Sequence, residues 1–85
     1  MKKVLVLHEK HSIRVFDAST EELKIKAYLA IFKERRKEGW YNDVAGDSIS
    51  YAEACKGSEH AAYKLLHRRS EAGYEYERIE TFEVE

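Results

Sequence analysis

Lys3-Val4-Leu5-Val6-Leu7, then His8-Glu9-Lys10-His11, then Ser12-Ile13-Arg14-Val15-Phe16-Asp17 reads as two strands joined by a polar connection. Valine, leucine, isoleucine and phenylalanine fit a pleated, partly buried surface. The intervening residues His8–His11 have a length suited to a hairpin loop. Val4 to Leu7 are apolar on both parities, which predicts a strand central in its sheet or buried on both faces. The second strand alternates, with Ile13 and Val15 on one side and Ser12 and Arg14 on the other.

The same stretch bounds the class of protein. Met1-Lys2-Lys3 followed by apolar residues has the outline of a secretory leader, but the run stops at Leu7, and a leader needs about 7–15 apolar residues. No stretch approaches the roughly 20 apolar residues of a membrane span. Cys55 is the only cysteine among 85 residues, which excludes an intrachain disulfide and points to a reducing compartment. A single soluble, cytoplasmic domain over residues 1–85 is the expectation, with a thin margin of stability for so short a chain.

Outward from the hairpin, Ser19-Thr20-Glu21-Glu22 forms a capping box that predicts a helix start, with Ser19 as the cap. That helix should run to about Glu38, where Gly39 supplies a left-handed stop. Its middle, Ala27-Tyr28-Leu29-Ala30-Ile31-Phe32, is apolar nearly all round, and only a stripe through Glu22, Lys26, Lys33 and Lys37 is clearly polar. Such a helix must be covered on more than one side, by the sheet and by a second helix, and any surplus favours a homodimer. A second box, Ser50-Tyr51-Ala52-Glu53, predicts another helix. Gly57-Ser58 offers a break, with Ser58 capping a new helix, but small and apolar residues keep helical spacing through the glycine and favour one helix over residues 51–72, ended by Gly73.

The last segment, Tyr74–Val84, alternates as a strand, with Tyr74, Tyr76, Phe82 and Val84 on one face and Glu75, Glu77, Glu83 and Glu85 on the other. This predicts one packed and one wet face. The fold expected is therefore α+β in the order ββααβ: a three-stranded sheet with two helices packed on one face.

No catalytic residue, cofactor site or metal centre is indicated. His8 and His11 are three apart in a predicted turn, not at the i, i+4 spacing of helical zinc sites, and His60 and His67 lie seven apart. Cys55 and His60 are separated around a helix, which argues against a nucleophile and its base. Net charge is −1, but residues 71–85 carry six glutamates against one arginine, leaving about +4 on residues 1–70. Cations cluster at Lys33-Glu34-Arg35-Arg36-Lys37 and at His67-Arg68-Arg69, where helix C-termini favour them.

Trp40 and Tyr41, beside the first of those clusters, have the composition of a protein interface. The outward glutamates Glu75, Glu77 and Glu83 are a second candidate partner surface, although charge on an edge strand also guards against aggregation. An alternative reading is a nucleic-acid-binding domain that uses Lys33, Arg35, Arg36, Arg68 and Arg69. Its weakness is the near-neutral net charge.

In its brevity, its Met1-Lys2-Lys3 start and its ending Glu71-Ala72-Gly73-Tyr74-Glu75-Tyr76-Glu77, the chain resembles small bacteriophage-encoded accessory proteins. The resemblance is one of composition and carries over no functional residue. It implies a binder of host proteins, such as nucleases or defence complexes, rather than an enzyme. The expectation is thus a non-catalytic protein-binding module whose partner is another protein, a host factor, with self-association as a homodimer slightly favoured.

Overall fold

The computed structural model describes residues 2–40, 48–73 and 78–84, with residues 48–50 described by backbone alone. Six elements follow one another among them: β1 (Lys2–His8), β2 (Ile13–Asp17), α1 (Glu21–Lys37), α2 (Ser48–Cys55), α3 (Glu59–Glu71) and β3 (Arg78–Val84). The sheet is antiparallel throughout, in the order β2-β1-β3, so β1 is central as its apolar run implied.

The class α+β stands, but the order is ββαααβ rather than ββααβ. The expected single helix over residues 51–72 is two helices. Gly57 adopts φ +97°, a left-handed conformation that side-chain-bearing residues rarely take. Its amide donates to the Ala54 carbonyl at 2.9 Å, and the Ser58 amide to the Glu53 carbonyl at 3.1 Å, closing α2. The Ser58 hydroxyl then accepts from the Ala61 amide at 3.2 Å and opens α3. A strong stop and a strong start, three residues after Cys55, outweigh the unbroken apolar spacing.

Two capping expectations shift. At α1 the cap is Thr20, whose hydroxyl accepts from the Leu23 amide at 3.1 Å. Ser19 is held one step earlier, its amide and hydroxyl donating to Asp17 Oδ1 at 2.9 and 2.6 Å. Asp17, a better acceptor than a hydroxyl, takes Ser19 out of the capping position. At the second site α2 already begins at Ser48, so Ser50 lies inside the helix rather than ahead of it. The last strand is observed over Arg78–Val84, and Tyr74–Glu77 lie outside the described residues.

Packing gathers on one side of the sheet. The core joins Leu5 and Leu7 of β1 to Ala27, Tyr28, Ile31 and Phe32 of α1, Ala54 of α2 and Ala61, Ala62, Leu65 and Leu66 of α3. Alanines at 61 and 62 let α3 approach α1 closely, and Tyr28 meets Tyr63 edge-on at 4.8 Å. The broad apolar surface of α1 is thus shared between the sheet, α3 and α2. α3 also guards a sheet edge. The Ser70 hydroxyl accepts from the Ile79 amide at 3.0 Å and donates to the Ile79 carbonyl at 3.4 Å, on the side of β3 away from β1.

Candidate functional site: an open sheet face and a basic cleft

Register fixes which side chains share each face, because residues directly opposite on antiparallel strands point the same way. Leu5 lies between Phe16 and Thr81, and Leu7 between Arg14 and Ile79; these face the helices. The other face carries Val4 between Asp17 and Phe82, Val6 between Val15 and Glu80, and His8 between Ile13 and Arg78. Lys2 and Val84 close its far end.

The expectation for the last strand is reversed here. Phe82 and Val84 belong to the open face, 47% and 42% exposed, while Ile79 packs on the core and Glu83 lies on the helix side opposite Lys3. On β2, Ile13 and Val15 are likewise open, 62% and 61% exposed. Arg14 instead turns to the helix side. It pairs with Glu34 of α1 and sets its guanidinium over the Phe16 ring at 5.1 Å. The buried Ala18 continues that side of β2 where the chain turns into α1.

An apolar strip therefore crosses all three strands through Ile13, Val15, Val6, Val4, Phe82 and Val84. Its corners are polar: Lys2 and Asp17 at one end, and His8, Arg78 and Glu80 at the other. There Arg78 pairs with Glu80, and His8 Nε2 lies 3.4 Å from the same carboxylate. Asp17 is held below the usual carboxylate range, first by the Ser19 hydroxyl and then by its amide. The backbone adds a further resource. Ala18 donates to Lys3 and Glu9 to Ser12, so the ladder alternation turns the peptide groups of Ile13, Val15 and Asp17 outward from β2. Among the described residues no helix side chain hydrogen-bonds them as Ser70 does Ile79.

The residues proposed from sequence scatter over the molecule. Trp40 turns back on α1, where its ring lies 3.9 Å from the Arg35 guanidinium and its indole N–H donates to Glu38 at 3.2 Å. It remains 37% exposed. Arg35 is buried beneath it and presents no surface to a phosphate. Arg68 and Arg69 sit in the last turn of α3, while Lys33 and Arg36 stand on an exposed stretch of α1. Tyr41, Glu75 and Glu77 lie outside the described residues. Among the described residues no three histidine, cysteine or carboxylate side chains gather as metal ligands, and no helix is long and apolar enough to cross a membrane.

A second feature was only half legible. Between the end of α1 and the end of α2 lies a cleft of about 590 Å³, with Phe32 and Ala54 against its base and Lys33, Arg36, Lys37 and Lys56 around it. The sequence displays the α1 cations as a run. Lys56 joins them only because Gly57 ends α2 at that point.

No protein family, curated protein or solved structure matches the chain. The geometry of these two surfaces is therefore the ground for a functional reading.

Proposed function

We propose that this chain is a non-catalytic protein-binding module and that the open face of its sheet is the contact surface. The observation that carries this reading is the exposure of four large apolar side chains, Ile13, Val15, Phe82 and Val84, on one continuous face. The largest contiguous apolar patch on a monomer is often functional. The arrangement, an apolar centre with charged corners, is that of a protein interface.

Size points to the kind of partner. Three strands about 4.8 Å apart and five to seven residues long span roughly 14 by 20 Å. That plane is well short of the ~800 Å² per side of a standard complex. A second copy packed face to face would form only a weak dimer. A larger partner that also engages the outward peptide groups of β2 reaches the standard size, with backbone hydrogen bonds adding to apolar burial. In this reading the partner is a host protein, as the resemblance to bacteriophage accessory proteins implies. Trp40 then serves α1 rather than the interface.

The test is capture from bacterial lysate with Val15→Lys and Phe82→Lys beside the unaltered chain. The partner is identified by mass spectrometry and its affinity measured with purified components. A stoichiometric protein partner whose affinity falls at least about tenfold in folded variants supports the reading, since a lysine in an interface core loses apolar burial and must desolvate its charge. Equal affinity for all three chains excludes the open face. Light scattering that shows a tight dimer lost in both variants would assign the face to self-association instead.

A further inference from the structure

Lys33, Arg36 and Lys37 project from α1 and Lys56 from the turn after α2, all exposed and all lining one cleft. Among the described residues none of the four takes part in an ion pair and no carboxylate lines the cleft. Nearby acids are engaged elsewhere: Glu34 with Arg14, and Glu38 with the Trp40 indole.

Cations at helix C-termini ordinarily serve the helix itself. Here that need is already met. At α1 the amides of Glu38, Gly39 and Trp40 bond the carbonyls of Glu34, Arg35 and Arg36. At α2 the amides of Lys56, Gly57 and Ser58 bond those of Glu53 and Ala54. Each helix end amounts to about half a negative charge, so two ends neutralise roughly one of the four cations. A surplus near three positive charges remains, concentrated around a cavity of small-molecule size.

We propose that this cleft binds phosphate groups, as carried by a di- or triphosphate nucleotide or by a single-stranded polynucleotide. The surplus matches two or more phosphates better than a lone carboxylate. Arg36 can bind one phosphate through two parallel N–H bonds, with the lysines supplying point charges around it. Phe32 and Ala54 form an apolar base against which the uncharged part of such a ligand can rest. This site is separate from the sheet face, and either assignment can fail without the other.

Pyrophosphate, adenosine triphosphate and a ten-residue oligothymidylate are titrated against the full chain by calorimetry at about 50 mM salt and again at about 200 mM. Alkylation of Cys55, which also lines the cleft, gives an independent reading of occupancy. Saturable binding is expected, with ligand slowing the alkylation. The doubly substituted Arg36→Ala, Lys56→Ala chain should bind at least about tenfold more weakly. Lys64→Ala, an exposed lysine of α3, should stay within about twofold, because surface charge acts weakly at a distance.

Preference for pyrophosphate and the nucleotide would assign a small ligand. Preference for the oligonucleotide, with log affinity falling steeply against log salt, would assign a polynucleotide. Absence of saturation with all three probes, an equal loss in Lys64→Ala, or unchanged alkylation of Cys55 at saturating ligand would overturn the proposal.

Discussion

On the helix side of the sheet, Leu5, Leu7, Phe16 and Ile79 pack against Ile31, Phe32 and Leu65; on the other, Val4, Val6, Ile13, Val15, Phe82 and Val84 meet no helix among the described residues. The two faces use similar residues in the same alternation, yet Leu5 is fully buried while Ile13 and Val15 are mostly exposed. Alternation reports that a strand has two unlike sides, not which side finds cover. In β2 and β3 the covered side includes a charged residue, Arg14 and Glu83, while Ile13, Val15, Phe82 and Val84 are left on the open one. Arg14 can turn inward because Glu34 and the Phe16 ring receive it, and Glu83 can do so because the end of β3 stays exposed.

The strongest challenge to this contrast is truncation on each side. Leu5→Ala should cost about 2–5 kcal/mol through lost transfer energy and a residual cavity. A domain this size has total stability of only several kcal/mol, so the variant will be close to unfolding. Val15→Ala, on the open face, should cost less than about 1 kcal/mol, because most of its surface is already in water. Urea unfolding of both variants checks the difference, and equal costs would mean that the open face is buried in the free protein.

A smaller effect tests how the covered face is assembled. Gly57→Ala should destabilise by about 1–2 kcal/mol, because alanine is strained at φ +97° even though a Cβ there meets no neighbour. A continuous helix would respond with the opposite sign, alanine gaining roughly 1 kcal/mol over glycine. Thermal unfolding decides between them, since α3 lies on the core only if the chain turns at Gly57.

The smallest effects are in titration, and they separate the two sides by mechanism. On the covered side, burial first, then Tyr63 and Glu21, raise the Tyr28 phenol from its ordinary 10.0 to about 12. The unfolded chain gives up that proton nearer 10, so the contribution is fully present below that value and is lost as pH rises through about 12. Ultraviolet titration should show a late-ionising tyrosine accompanied by loss of structure. On the open side, Asp17 is lowered without burial, by its bonds from Ser19. Its contribution is present above its ordinary value and lost as pH falls through the lowered one. Carboxyl NMR should show Ser19→Ala returning Asp17 toward 3.8.

Much of the architecture could be read along the chain. The hairpin, the central β1, α1 with its stop at Gly39, the end of α3 at Gly73 and a final alternating strand all follow from local rules, because caps, glycine conformations and alternation act within a few residues. The split at Gly57 was visible as a choice between a turn signal and an unbroken apolar spacing, and local hydrogen bonding won. Of the candidate sites, the α1 cations were legible as a run, whereas Arg35 within that run is buried under Trp40. Helical phase separates Arg35 from Arg36, but only the packing of the core against α1 selects which phase faces inward.

What the amino-acid sequence determined by itself is the hairpin, α1, the final strand, the stops at Gly39 and Gly73 and the central place of β1, since each depends on side chains close to one another along the chain. Tertiary structure alone decided which sheet face is covered, that Lys56 joins Lys33, Arg36 and Lys37 around one cleft, and that Ser70 guards the edge of β3 while no described residue does so at β2. Those outcomes depend on where three helices dock. Docking is set by the summed packing of residues distant in sequence, and no local pattern encodes that sum.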